Sequence, residues 1–567
     1  MAGRPVPEVE LPPPSLLHRF DVPGPRYTSY PTADRFIEVF NADSYAAWLR
    51  SRAVMPTSPL SLYVHIPFCK TICYYCGCNK VITRDHDKAV QYLEFLEREI
   101  ELIASLLGPG QNVEQLHLGG GSPTYLSNEE LQRLVEMIIK RFHLDEHGDH
   151  GVEVDPRTAP PDKIRTLAAL GFNRLSVGVQ DFDPQVQRAV NRIQSFEMTQ
   201  AVMLAARDAG FQSLNLDLIY GLPQQSRETF SRTLDQVLEL APDRVALYHY
   251  AHLPERFKPQ RRISLAQVPS PEEKLHIMLQ AIRRLTGSGY EHIGMDHFAR
   301  VDDDLARAQR QGRLHRNFQG YSTRPDCDLI GLGVSAISKV GPTYAQNVHS
   351  LEGYYDRLSA GLLPTARGVL LSSDDLLRCT VIMALMCHFE ISKEAISYDH
   401  LVKFDDYFQR ELAELKPLEQ AGLVENSRQW ITITPRGKLL VRAIAMTFDG
   451  YLRDDQRRLR TRKSSEAAAV PRVRRGVASQ QGSRSSRYLG ECRVSPANGR
   501  RSERIGPTLA ATRPGRTGWP GCGPARRWSR WRTHGVRGSG EIRSWRRPRA
   551  ACPATDRPWR SGRTGPA

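Results

Sequence analysis

Between about residues 60 and 300 the chain alternates short apolar runs with amphipathic stretches, and this repeat is the strongest constraint on its fold. Strand candidates fall at 62–66, 115–118, 152–154, 174–179, 214–219 and 244–248, with a seventh at 292–295. Helical patterns separate them: Val90, Leu93, Leu96, Ile100, Ile103 and Leu106 recur at steps of three and four. Ser127 with Glu130 has capping-box spacing, and Ser270-Pro271-Glu272-Glu273 combines an N-cap, proline at the first helical position and glutamate at the third. Strand–helix units of this length predict a parallel sheet with right-handed crossovers. Periodicity alone does not decide between a closed barrel and an open sheet.

Side chains alternate faces along a strand, so each strand has a second message. Tyr63 and His65 lie opposite Leu62, Val64 and Ile66; His117 lies opposite Leu116 and Leu118; Glu153 lies opposite Val152 and Val154. Ser176, Gly178 and Gln180 oppose Leu175, Val177 and Val179, and Asn215 and Asp217 oppose Leu214, Leu216 and Leu218. A filled barrel of this type carries bulky aliphatic residues inside. A polar inner face on strand after strand predicts a ligand-filled lumen, where any single strand would fit satisfied buried polar groups equally well.

The flanks read differently. Residues 1–55 are proline-rich and read as an extended arm with a short helix near 44–52. The central unit runs over 56–365. Residues 366–455 read as a compact helical domain, with helices at 373–387 and 404–415, then a two-stranded ribbon and a final helix, a winged-helix-like ending. Residues 461–567 hold 24 Arg, one Lys and five acidic residues, while residues 1–460 hold 53 basic and 57 acidic residues. The net charge of +16 therefore belongs to the tail, and the main body gives no reason to expect a nucleic-acid partner. Five of the seven tryptophans also lie in the tail, which is dense in Gly and Pro without apolar periodicity. Residues 456–567 are expected to be disordered and dispensable, a composition that fits GC-rich DNA translated after a frameshift or read-through. No apolar run approaches the ~18 residues of a membrane helix, and the first residues lack a signal-peptide pattern, so a cytoplasmic protein is expected.

Four of the ten cysteines, Cys69, Cys73, Cys76 and Cys78, fall within ten residues, directly after the first strand. Such crowding is a poor disulfide framework and a good metal site. The spacing suits a loop wrapped round an iron–sulfur cluster. Zinc is the alternative, but it usually takes two separated ligand pairs, and no second C-x-x-C occurs.

The run C-x3-C-x2-C resembles the signature of the radical S-adenosylmethionine (SAM) superfamily, and Cys78 in Y-x-C-G-C-N-K is similar to the oxygen-independent coproporphyrinogen III oxidases (dehydrogenases) of the HemN type. The resemblance continues through GPRYTSYPTA at 24–33, GGGSPTYL at 119–126, EVDPR at 153–157, SVGVQDF at 176–182, NRIQ at 191–194, DLIYGLP at 217–223, YAHLP at 250–254, MDHFAR at 295–300, HRNFQGYST at 315–323 and GLGVSAIS at 331–338. It covers about 18–455 and departs at Ser122, where the family has Thr.

The resemblance implies an α/β fold: a radical SAM partial (β/α)6 barrel with an N-terminal arm and the small C-terminal domain. It implies one [4Fe–4S] cluster on Cys69, Cys73 and Cys76, and a SAM on the open iron contacted by Tyr63, Gly120 and Glu153. A second SAM is implied at Tyr75, Gly121, Ser122, Gln180, Arg192, Asp217, Ala251 and Ile337. The glycine run lets the backbone approach the cofactor closely, and Arg192 suits a carboxylate. The polar lumen is expected to have room for more than one nucleotide-sized ligand, and Arg192→Ala to weaken one SAM site with the cluster intact. The implied reaction converts two propionates of coproporphyrinogen III into vinyl groups, in a monomer served by an electron donor and an acceptor that the sequence does not identify. The nearest alternative is a haem chaperone of the same superfamily, a branch that lacks the C-x-C extension and the long arm. A nucleic-acid-binding reading rests only on the tail and the winged-helix-like ending.

Overall fold

The computed structural model describes residues 10–54, 58–324 and 327–455, and the expectations for 456–567 lie outside them. Six strands run parallel and side by side in chain order: β1 (Leu60–Ile66), β2 (Asn112–Gly120), β3 (His143–Val154), β4 (Arg174–Gln180), β5 (Ser213–Tyr220) and β6 (Arg244–His249). Helices cross over between them: α1 (Asp87–Leu107), α2 (Asn128–Ile139), α3 (Pro161–Ala169), α4 (Phe196–Asp208) and α5 (Arg227–Leu240), with α6 (Pro271–Gly287) after β6. Beyond β6 the sheet adds an antiparallel hairpin, β7 (Tyr290–Gly294) and β8 (His297–Arg300), of which β8 pairs with β6. Beyond β1 it adds β9 (Asp328–Leu332), parallel to β1, and then antiparallel β10 (Ile337–Val340), β11 (Thr343–Asn347) and β12 (Thr365–Leu370). The 12-stranded sheet ends on β12 and β7, so the barrel is partial and open. The seventh strand candidate is present, but as an antiparallel edge strand.

The core forms as the strand alternation requires. Leu62, Val64, Leu118, Val152, Val177 and Leu216 pack with Leu93, Leu96, Ile100 and Ile103 of α1 in one apolar cluster. Val90 departs from expectation at 39% exposure. The buried stripe of α1 runs through Ala89, Leu93, Leu96, Ile100, Ile103 and Leu107, because a 3.6-residue turn carries the residue before Val90 inward. The stripe also buries Glu99, which accepts hydrogen bonds from Gly333 N, Asn347 Nδ2 and Tyr354 OH, each at 2.6 Å. Burial pushes this carboxyl up to about 7. The Ser127–Glu130 capping box forms in both directions, at 3.2 and 2.7 Å. Ser270 caps α6 through Glu273 N at 3.1 Å, but the Glu273 carboxylate turns to the start of α5 and accepts from Arg227 N at 2.8 Å.

The arm is more structured than its proline content suggests, with helices at Pro14–Phe20 and Ala42–Val54. Between them the RYTSYP segment is sewn to the C-terminal part. Tyr27 and Tyr30 are fully buried; Tyr27 OH donates to Asp449 Oδ2 at 2.8 Å, and Gly450 N donates to Tyr30 OH at 3.0 Å. Tyr27→Phe leaves the buried Asp449 carboxylate short of a donor and is expected to cost about 1–3 kcal/mol, read as a lower midpoint in urea unfolding.

In the C-terminal part the helix Ser373–His388 forms as expected. The helix expected over 404–415 is split into Phe404–Tyr407 and Gln409–Gln420. Phe408 interrupts it because its ring is drawn into the core between Phe404 and Phe448, at centroid distances of 4.8 and 5.4 Å. The expected ribbon, Val424–Asn426 with Trp430–Ile433, gains a third strand, Glu390–Ser392. No helix among the described residues is long and apolar enough to cross a membrane.

Candidate active site

The cysteine loop leaves the C-terminal end of β1. Phe68–Cys69 pairs briefly with Val81–Ile82, which closes the loop and hangs Cys73 and Cys76 between the two ends. Donors from distant segments pin it: Tyr74 N to Val190 O at 2.9 Å, Asn191 Nδ2 to Ile72 O at 2.7 Å, and Gln260 Nε2 to Tyr75 O at 3.0 Å. All four thiols are free; Cys73 is buried, Cys69 and Cys76 half-buried, and Cys78 exposed.

Charge shows how the thiols face one another. Burial first, then the neighbouring Cys76 and Cys73, push the Cys69 thiol up to about 12. The Cys76 thiol is pulled below its ordinary value by a hydrogen bond from Cys78, with Lys80 adding to this against burial. Two guanidinium groups flank Cys73: Arg157 Nη2 lies 3.6 Å and Arg192 Nη1 3.8 Å from its sulfur. Among the described residues no three His, Cys, Asp or Glu side chains close on a single-ion centre. Three thiols gathered beside fixed cations fit a cofactor that brings its own positive irons and sulfides, with Cys78 exposed behind Cys76.

Beside the loop, the glycine run is pressed against protein. A Cβ at Gly121 would lie 2.6 Å from the Pro67 carbonyl oxygen, and Gly120 has φ +117° with His65 where its Cβ would stand. These glycines serve the close approach of β2 to the cysteine loop, a reason the sequence did not suggest. Gly120 N donates to Glu153 Oε2 at 3.1 Å, and His117 Nε2 lies 3.5 Å from Glu153 Oε1. Tyr63 stacks on His117 with centroids 6.0 Å apart, and its hydroxyl meets His65 Nδ1 at 3.2 Å. Tyr63, Gly120 and Glu153 thus form one contiguous group.

A second group gathers round Arg192. This guanidinium is buried and donates to Gly178 O at 2.5 Å and to Asp155 Oδ2 at 3.3 Å. Burial opposes its charge, and Tyr75, Asp155 and Cys73 more than restore it. Burial also works against the Asp155 carboxylate, yet Arg192 and Arg157 hold it down at about 2. The carboxylate expected for Arg192 is therefore supplied by the chain itself. Arg192 Nε has no partner, so a donor remains in the buried site. Gln180 has φ +70° where the β4–β5 pairing shifts register, a bulge that re-aims its side chain toward Gly178 and Arg192. Ser122 is buried and bonds to Thr124 Oγ1 at 3.0 Å.

Asp217 belongs to the lumen. It accepts from Ser176 Oγ at 3.0 Å and Asn215 Nδ2 at 2.8 Å. Burial, then the Glu153 carboxylate, push it up to about 6. A carboxyl raised above its unfolded value of ~3.9 loses stability as pH climbs through 4 to 6 and stays less stable above. Asp217→Asn is expected to raise the melting temperature of the ligand-free protein by roughly 2 °C or more at pH 8, and by nothing at pH 4.

The polar faces do converge: His117, Glu153, Ser176, Asn215, Asp217 and Tyr248 line a cavity of about 190 Å³. That is below the ~300–1,000 Å³ of pockets for drug-sized ligands, and Gln180, Arg192 and the glycine run lie outside this cavity's lining, so it is one part of the expected ligand space. Ala251 is exposed after β6, and Ile337 packs at the head of β10 with Phe36 and Tyr344, its backbone against Gly331, the register partner of Tyr63. Asp155, Arg157 and Asn191 escaped individual notice, although the first two lie in EVDPR and the third in NRIQ.

Residues 63–237 match the Radical SAM superfamily and residues 371–440 the HemN C-terminal domain. The oxygen-independent coproporphyrinogen III oxidase of Pseudomonas aeruginosa is 49% identical over 440 residues, 77% of this chain and 95% of that protein. The enzyme of the same description from Escherichia coli K12 is 49% identical over 443 residues, 78% of this chain and 96% of that one. A solved structure, described as coproporphyrinogen III oxidase (HemN) from Escherichia coli, a radical SAM enzyme, superposes with a TM-score of 0.73 at 49% identity, covering 75% of this chain and 97% of that one. Likeness over nearly the whole length of these relatives joins the cysteine loop, the open barrel and the C-terminal part in one assignment: the chain belongs to the oxygen-independent coproporphyrinogen III oxidase family of radical SAM enzymes.

Proposed function

We propose that the chain carries out the oxygen-independent oxidative decarboxylation of two propionates of coproporphyrinogen III, giving protoporphyrinogen IX in haem biosynthesis. The observation that carries this reading is the 49% identity across 95% of a relative of that activity, with the three-thiol loop in place at the end of β1. When bound, a [4Fe–4S] cluster and SAM supply an electron and a hydrogen-abstracting 5′-deoxyadenosyl radical.

The protein's part is to hold and orient. Cys69, Cys73 and Cys76 hold the cluster, and Arg157 and Arg192 offset its negative charge. Tyr63, Gly120 and Glu153 take the SAM beside it. Tyr75, Gly121, Ser122, Gln180, Arg192, Asp217, Ala251 and Ile337 take a second. Each propionate loses one hydrogen from the carbon β to its carboxylate, CO2 and one further electron, so the reaction needs an external donor and an acceptor. The reading includes a monomer acting in the cytoplasm.

Anaerobic assay of the reconstituted protein with SAM, a reductant and coproporphyrinogen III tests it. Vinyl-bearing product is expected, with equilibrium dialysis saturating at two SAM per chain. Haem binding without vinyl formation would overturn the activity, and saturation at one SAM would remove the second site.

A further inference from the structure

The cavity of about 190 Å³ beneath Glu153 and Asp217 is too small for a macrocycle with four carboxylates, and the cysteine loop stands at the C-terminal ends of the strands, which places such a ligand at that mouth. On one side of that mouth stands the cysteine loop after β1. On the other, the last residues of β5 and β6, Tyr220 and His249, sit opposite each other in register with rings 5.0 Å apart. We propose that Lys274, in the first turn of α6, and Arg26, on the arm, form a carboxylate-binding cradle at this rim for the propionates of a tetrapyrrole; the identity of that ligand rests on the function proposed above.

Three observations carry the cradle. The first is placement. The Lys274 stem lies over the turn after β5, its Cε 3.2 Å from where a Cβ on Gly221 would stand, and the Arg26 guanidinium lies 5.4 Å from the Tyr248 ring centre. Lys274 thus stands beside the Tyr220–His249 pair and Arg26 over the Tyr248 ring, one cation toward each face of the end of β6. The second is charge. Arg442 is spent on the arm, donating to Asp21 at 2.5 Å and Val22 O at 2.9 Å, and Arg26 pairs with Asp296. Buried Arg316 donates to Arg26 O at 3.3 Å, and its Nη1 has no partner. Among the described residues no carboxylate pairs with Lys274. Four cations against two carboxylates collect here, on a body whose acidic residues outnumber its basic ones. The third is the state of His249. Exposed at the rim yet partly desolvated by its neighbours, it is pushed down by that desolvation, then by Lys274 and more weakly by Arg26, so a neutral hydrogen-bonding group stands in a field that favours an anion.

Coproporphyrin III, the fluorescent oxidised form of the substrate, is the probe. With cluster-loaded enzyme, Lys274→Ala and Arg26→Ala are each expected to raise its dissociation constant about tenfold or more. Arg26→Lys should keep part of the affinity, and iron content and SAM binding should not change. In turnover, KM should rise with kcat within about twofold. Lys274→Ala keeps the test sound if Arg26→Ala loosens the arm. Binding by both alanine variants within about twofold of wild type would overturn the cradle. Tight binding that depends on Lys274 without vinyl formation would instead defeat the proposed reaction and leave the cradle standing.

Discussion

Alanine at Cys69, Cys73 or Cys76 is expected to remove iron and acid-labile sulfide almost completely, with activity falling to background, while Cys78→Ala keeps both. The asymmetry follows from the loop. Cys73 is buried between two guanidinium groups, and Cys69 lies close enough to Cys73 and Cys76 to feel both. Cys78 is exposed and hydrogen-bonds Cys76, whose thiolate it helps to stabilise. Losing Cys78 should therefore slow cluster loading at neutral pH without preventing it. Iron and sulfide analysis with EPR of the reduced protein, with and without SAM, checks the set. Equal loss in all four variants would remove the three-thiolate assignment.

Arg192→Ala is expected to do more damage than a ligand contact would. The substitution strips Asp155 of one of its two cations and leaves the Gly178 carbonyl without this donor, all in a buried site. Breaking a buried ion pair in this way costs about 3–5 kcal/mol. The cluster should also load poorly, because a positive neighbour of Cys73 has gone. A weaker SAM site, expected from the resemblance, would therefore come together with this structural cost. Urea unfolding of Arg192→Ala, Asp155→Asn and the double variant supplies the check. The double variant should cost clearly less than the sum of the singles; additive costs would show that the pair is not coupled.

What the sequence disclosed and what it hid divide along a physical line. Strand alternation placed Glu153, Ser176, Asn215 and Asp217 on one surface because period two is a local property of the backbone, and these residues do line the lumen. Local signals also gave the Ser127 cap and the loop after β1. Properties fixed by distant partners were hidden. Glu99 reads as a solvent-facing charge until Gly333, Asn347 and Tyr354 arrive from more than 200 residues away. Arg192 looked available to a ligand because Asp155, 37 residues earlier, had not been seen as its partner. The break at Phe408 follows from Phe448, which lies across the core and outside any helical window.

The stitching of Tyr27 to Asp449, 422 positions apart in sequence, sets an order of events. The ribosome makes the arm first, but its anchor emerges only after the barrel strands have been synthesised. Domains fold as units in the order they appear, and contacts between distant segments form late. The barrel can assemble while the segment holding Arg26 is still unanchored, so the rim at Tyr248 and Asp296 is completed last. The segment that carries Arg26 is seated only once residues 449 and 450 have been made.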